Sequence, residues 1–168
     1  MSMKKYEQIM KYAMQMELDG YNFFKEKAEK FNNPTTRKLF LDLADVEMEH
    51  YNFIKEQLEE YLETDSFNIK SEGFNRDEKN IFESREKSEH IAETLMESDI
   101  PDLTVLRMAY LIERDYAEFY RKAAESADDE VAKTLFNKLA EWEDGHERLF
   151  KSEYDRRMKE YMNLPWGG

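Results

Sequence analysis

Apolar residues recur along this chain at intervals of three and four, the spacing of one face of an α-helix, in four long segments. Between Tyr6 and Phe31 the positions Ile9, Ala13, Met16, Gly20, Phe24 and Ala28 share a face, while Lys and Glu fill the opposite one. Asn32-Asn33-Pro34 breaks that pattern, with Asn33 placed to cap a second helix and Pro34 at its first position. This helix is predicted to reach about Tyr61, with Phe40, Leu43, Ala44, Glu47, His50 and Ile54 inward. A third begins after Pro101-Asp102-Leu103-Thr104 and runs to about Ser126, with Leu106, Ala109, Glu113, Tyr116, Tyr120 and Ala124 inward. Asp128 or Asp129 then caps a fourth, whose inner face reads Phe136, Leu139, Glu143, His146 and Phe150.

The breaks within each pair are short, so the segments fold as two antiparallel helical hairpins, 6–61 and 102–160, followed by a tail at 161–168 that is non-helical from Asn163. Residues 62–101 join the hairpins. Phe67, Ile69, Phe74, Ile81, Phe82, Ile91, Leu95 and Met96 make this connector too apolar for a disordered linker. It is expected to lie against the bundle, with one or two short helices between about Asp77 and Glu97, and to be long enough to cross from one end to the other. The expectation is an all-α fold, a four-helix bundle of two hairpins joined by a long crossover, in a single domain over 1–168.

Composition supports this and narrows the function. Five Gly and three Pro are too few turn residues for a many-stranded β protein. A net charge of −13 repels phosphate backbones and anionic lipid, which argues against nucleic-acid and membrane-surface partners, and it attracts cations. With no cysteine, thiolate ligands, iron–sulfur clusters and a Cys nucleophile are excluded, so any metal must be held by oxygen and nitrogen. The N-terminus has no signal-peptide core and no run approaches a membrane span, so a cytoplasmic location is expected.

Charge also falls where it is costly. Glu17 sits on the edge of an apolar stripe, and Glu47-x-x-His50 and Glu143-x-x-His146 project from apolar faces beneath Leu-Phe-x-x-Leu-Ala runs. These are copies. At an offset of 96 residues, segment 13–55 matches 109–151 without a gap, 13 of 43 positions identical, and the repeat carries Glu17 onto Glu113. Four carboxylates buried together would be destabilising unless neutralised, and two divalent cations supply the four positive charges required. Oxygen and imidazole donors suit iron or manganese; zinc also binds such a set, and more tightly than Fe(II).

One Glu from each of two helices and a Glu-x-x-His from each of the other two is a pattern that resembles the ferritin-like di-iron carboxylate bundles. Within them the chain is similar to the rubrerythrin group, over about 6–61 and 102–160. The resemblance implies two iron ions (Fe2+/Fe3+), with zinc or manganese as other occupants. It also implies that Glu47 and Glu143 bridge the ions, that Glu17 and Glu113 bind one each, and that His50 and His146 complete the two spheres. Two features depart from it. Tyr116 stands where rubrerythrins have a second helix-three glutamate that exchanges with a histidine, and there is no four-cysteine rubredoxin domain, so an electron donor would act in trans.

The function expected is therefore reduction of hydrogen peroxide or dioxygen at a di-iron site. Iron binding of the ferroxidase type without sustained turnover is the alternative, and a metal-free helical interaction module the third. A homodimer, with helices exchanged across the connector, is compatible with the resemblance. Phe24, Tyr110, Tyr116, Tyr120 and Trp142 fall near the proposed ligands and are read as core packing in preference to hydrogen bonding to bound oxygen species or electron transfer. His90 is read as a solvated connector residue.

Overall fold

The three-and-four spacing winds into four long helices in the computed structural model, which describes residues 3–31, 34–76 and 101–163. They are α1 (Met3–Ala28), α2 (Pro34–Thr64), α3 (Pro101–Glu125) and α4 (Glu130–Met162), with one 3-10 turn at Gly73–Asn75. Among the described residues there is no strand, and the all-α expectation holds. Helix α3 starts on Pro101 itself, ahead of the expected start after Thr104, because the fixed φ and missing N–H of proline suit a first helical turn. Helix α2 continues past Tyr61 to Thr64 and is stopped by Asp65, whose φ of 59° is left-handed and whose N–H donates to the Tyr61 carbonyl at 2.9 Å. Of the two cap candidates, Asp129 caps α4: its carboxylate accepts from the Ala132 N–H at 3.0 Å. Helix α4 ends at Met162, and Asn163, where the non-helical tail is expected to begin, is its C-cap. The Asn33 cap, the short helices predicted between Asp77 and Glu97, His90 and Trp166 lie outside the described residues.

The inward faces are those expected, with two adjustments. At the start of α1, Met10 is fully buried and Ile9 only partly, although both keep a three-and-four spacing with Tyr6 and Ala13. On α3, Ala117 takes the deepest place and Tyr116 is half-buried.

Helix α1 packs along α2 and α3 along α4, as hairpins. Two apolar clusters fill the interior. One gathers Met10, Ile54, Leu58, Ala124, Leu135 and Phe136; the other gathers Phe24, Ala28, Phe40, Leu43, Leu106 and Phe150. The first therefore joins the start of α1, the end of α2, the end of α3 and the start of α4, and the second joins the four opposite ends. Helices α2 and α3 thus run the same way, and the chain leaves α2 at one end of the bundle to enter α3 at the other. A connection that must cover this distance explains the long crossover. Its first part lies on the bundle: Phe67 is buried, stacked on Tyr61 with centroids 4.5 Å apart and set edge-on to Tyr6 at 5.7 Å. No helix among the described residues is long and apolar enough to cross a membrane.

Candidate metal centre

Each helix buries a carboxylate in its apolar stripe, and on α2 and α4 an imidazole with it, and all of these groups fall between the two apolar clusters. They are Glu17 on α1, Glu47 and His50 on α2, Glu113 on α3, and Glu143 and His146 on α4. All six side chains are fully buried. The i, i+3 spacing on α2 and α4 stacks each imidazole one turn from its carboxylate. Antiparallel hairpins then bring the two Glu-x-x-His pairs face to face, with the His50 and His146 rings 5.3 Å apart and 4° from parallel.

Nδ1 of His50 lies 3.2 Å from Oε1 of Glu143 and 3.5 Å from Oε2 of Glu17. Nδ1 of His146 lies 3.4 Å from Oε1 of Glu47, Oε2 of Glu113 and Oε2 of Glu143. Two sets of four follow: Glu17, Glu47, His50 and Glu143, and Glu47, Glu113, Glu143 and His146, each offering one donor atom per residue, all within 4.8 Å of one another. Glu47 and Glu143 belong to both, the place of a bridging ligand.

The donor set fits a pair of cations on a second count. Seven buried carboxylate oxygens have no hydrogen-bond partner: Oε2 of Glu17 and both oxygens of Glu47, Glu113 and Glu143. Proteins rarely leave buried polar atoms in this state, and a cluster of carboxylates is the costliest case. Ligand bonds of about 2.0–2.2 Å put donors on opposite sides of an ion about 4 Å apart, so four atoms within 4.8 Å need to contract only slightly around one.

Without cations the cluster shares protons. Burial, then the neighbouring Glu143, raises the Glu17 and Glu47 carboxyls above their ordinary range, and burial followed by Glu47 does the same for Glu113. Burial acts on Glu143 too, but the His50 and His146 imidazoles outweigh it and hold the carboxyl down to about 2. Burial likewise opposes a charge on His146, yet Glu113 and the other carboxylates raise it well above the usual histidine value. Both imidazoles act on Glu143 and on Glu47, but only at Glu143 do they outweigh burial, and the raised carboxyls favour protons that cations would displace.

A sequence model of the family described as Rubrerythrin matches residues 8–154. The chain belongs to the rubrerythrin family. No curated protein and no solved structure matches it. The family match spans both hairpins and the connector, and so contains all six converging residues of this rubrerythrin-family chain.

Beside the six stand two aromatic residues for which the sequence favours core packing over a chemical role. The phenol of Tyr120 donates to Oε1 of Glu17 inside the core, and the indole of Trp142 lies flat on His50, centroids 5.0 Å apart at 16°. Tyr120 lies seven residues after Glu113 on the ligand face and adds a hydroxyl where the first copy has Phe24, but Tyr116 lies on that face as well. Tyr116, at the position of the rubrerythrin exchanging glutamate, donates to the Met16 carbonyl at 2.6 Å and contributes no carboxylate.

Proposed function

We propose that the protein is a non-haem di-iron oxidoreductase that reduces hydrogen peroxide or dioxygen. The observation that carries this reading is the layer of seven unpartnered carboxylate oxygens and two imidazoles, buried between two apolar clusters, in a chain of the rubrerythrin family. Glu17 and His50 would hold one ion, Glu113 and His146 the other, with Glu47 and Glu143 between them. Two iron ions, when bound, would supply two electrons together, so that peroxide with two protons yields two waters.

The chain's own part is to fix that pair and keep its surroundings dry. The apolar clusters on either side exclude bulk water, which strengthens every electrostatic interaction within the layer. Tyr120 holds Glu17 in place, and four carboxylates against two divalent ions leave no net charge in the core. The electrons that restore the ions to the reduced state come from a donor outside this sequence, which has no cysteine for a thiolate-bound centre.

The test is anaerobic loading with Fe(II), metal analysis, then a peroxide pulse. Rapid oxidation of about two irons per chain is expected, and its loss in His50→Ala and Glu143→Ala; unchanged oxidation in those variants refutes the proposal. A second reading, iron uptake without sustained turnover, is favoured by Tyr116, which is tied to the Met16 backbone where an exchanging carboxylate would stand. Excess reductant separates the two, since many turnovers indicate the enzyme and a single stoichiometric oxidation the iron-handling protein.

A further inference from the structure

The two halves of the centre come from one repeat, yet their surroundings differ. Around the first half, Oε1 of Glu17 accepts from the Tyr120 phenol and His50 is backed by the flat face of Trp142. In the second half neither oxygen of Glu113 accepts a hydrogen bond. Shifted back by 96 residues, Tyr120 becomes Phe24 and Trp142 becomes Val46, so the first copy supplies neither a hydroxyl nor a second aromatic plate. Phe24 instead packs against Phe40 and Phe150, with centroids 5.9 and 5.4 Å away. These two aromatic differences thus both act on ligands of the same half.

We propose that the two cation positions are unequal: the Glu17–His50 position is preorganised and fills first, while the Glu113–His146 position fills second and loses its ion first. This rests on the metal reading above. An opposing effect exists, since Glu113 can offer two oxygens to an ion and Glu17, with one already engaged, only one. A second oxygen of the same carboxylate closes a strained four-membered ring and adds little. Partners that orient a ligand from outside the coordination sphere change metal affinity by roughly 10- to 100-fold, so preorganisation decides the order. Tyr120 is then a positioning residue acting through Glu17. Glu113 is left as the ligand free to bind through one oxygen or two, and the ion it holds is the one whose coordination can change.

Calorimetric titration of the metal-free chain with Zn(II), which stays in one oxidation state, tests the order. The wild type is expected to bind in two steps separated by roughly tenfold or more in affinity. Tyr120→Phe should weaken the tighter step by roughly tenfold and leave the weaker one in place, with helical circular dichroism confirming the fold. His146→Ala should keep the tight step and lose the weak one; His50→Ala should do the reverse, and this pair decides the matter if Tyr120→Phe does not fold. Two equal steps in the wild type, equal weakening of both by Tyr120→Phe, or a tight step that survives His50→Ala and vanishes in His146→Ala would overturn the proposal. Absence of any Zn(II) uptake by the wild type is a different failure, since it removes the metal reading itself.

Discussion

A β-carbon placed on Gly20 would stand 3.1 Å from Oε2 of Glu47, so the missing side chain of α1 is what gives the central carboxylate of α2 its room. Mid-helix glycine costs about 0.5–1 kcal/mol relative to alanine, and here the cost falls where α1 lies against a shared acid. Gly20→Ala is expected to leave the metal-free protein within about 1 kcal/mol of wild type, because the helix gain and the crowding offset each other. The same substitution moves Glu47 by a few tenths of an ångström and should weaken Zn(II) binding by roughly tenfold. Urea unfolding in chelator and a parallel zinc titration check both halves. A variant that loses stability while binding zinc normally would show that Gly20 serves packing alone.

Removing cations should cost stability in proportion to how well the layer holds them. Saturation at 100 times the dissociation constant adds about 2.7 kcal/mol, which for a domain of this size raises the melting temperature by about 5–10 °C. Chelator should reverse that rise. Glu47→Gln keeps the shape of a ligand shared by both sets but removes its charge, so the metal-free variant should be no less stable than wild type and the cation-dependent rise should shrink or vanish. Differential scanning calorimetry with and without Zn(II) measures this; a full rise in the variant would mean that Glu47 is not a ligand.

The framework and the ligands were legible in the sequence because both obey one rule. A helix buried on one face shows its period in apolar residues, and a carboxylate set into that period, as Glu17 and Glu113 are, has to answer for its own burial. Duplication settled the rest, since the 96-residue offset named all six converging residues at once. Illegible were features that depend on distances across the bundle. Nothing in a periodic pattern separates the hydroxyl of Tyr120 aimed at Glu17 from that of Tyr116 aimed at the Met16 carbonyl, four residues away on the same helix. Ile9 and Met10 are equally apolar neighbours that fit the spacing of Tyr6 and Ala13 equally well, yet only Met10 is fully buried. Gln57 on α2, which hydrogen-bonds the Asn68 backbone of the connector as both donor and acceptor, answers to no sequence period at all.

The pH dependence of the metal-free protein follows from the carboxyls that burial raises. Glu47 and Glu113 keep protons when folded that they lose at an ordinary value of 4.5 when unfolded, so stability falls as pH rises from there through the raised values. His146 has the same sign: its charge stabilises fully below 6.5, and that contribution is lost as pH rises through its raised folded value. Glu143 has the opposite sign, stabilising above 4.5 and losing its effect as pH falls to about 2. The chelated protein should therefore melt higher at about pH 5.5 than at about pH 8. Cations invert the trend, because carboxylate and imidazole must give up protons to bind, so zinc affinity and the zinc-bound melting temperature should increase over the same interval. Greater stability of the chelated protein at the higher pH would contradict the proton-sharing cluster.

Gln57, buried on α2, holds the connector by both ends of its carboxamide, donating to the Asn68 carbonyl at 3.1 Å and accepting from the Asn68 N–H at 2.9 Å. Gln57→Leu has nearly the same volume but leaves two backbone groups of the connector without these partners, a cost of about 1–3 kcal/mol. Phe67 remains stacked on Tyr61, so the connector should loosen locally and not detach. The expected signature is faster hydrogen exchange at the Asn68 amide, with the helices as protected as in wild type. Gln57→Glu sharpens the test: it keeps the acceptor for the Asn68 N–H but sets a second acceptor against the Asn68 carbonyl, so it should destabilise at least as much as leucine and should recover as acid protonates the carboxyl. Zinc binding should be unaffected in both variants, since Gln57 lies beyond Ile54, two turns from the nearest ligand, His50. Loss of zinc binding in Gln57→Leu would instead show that the connector helps to hold the bundle closed around the acids.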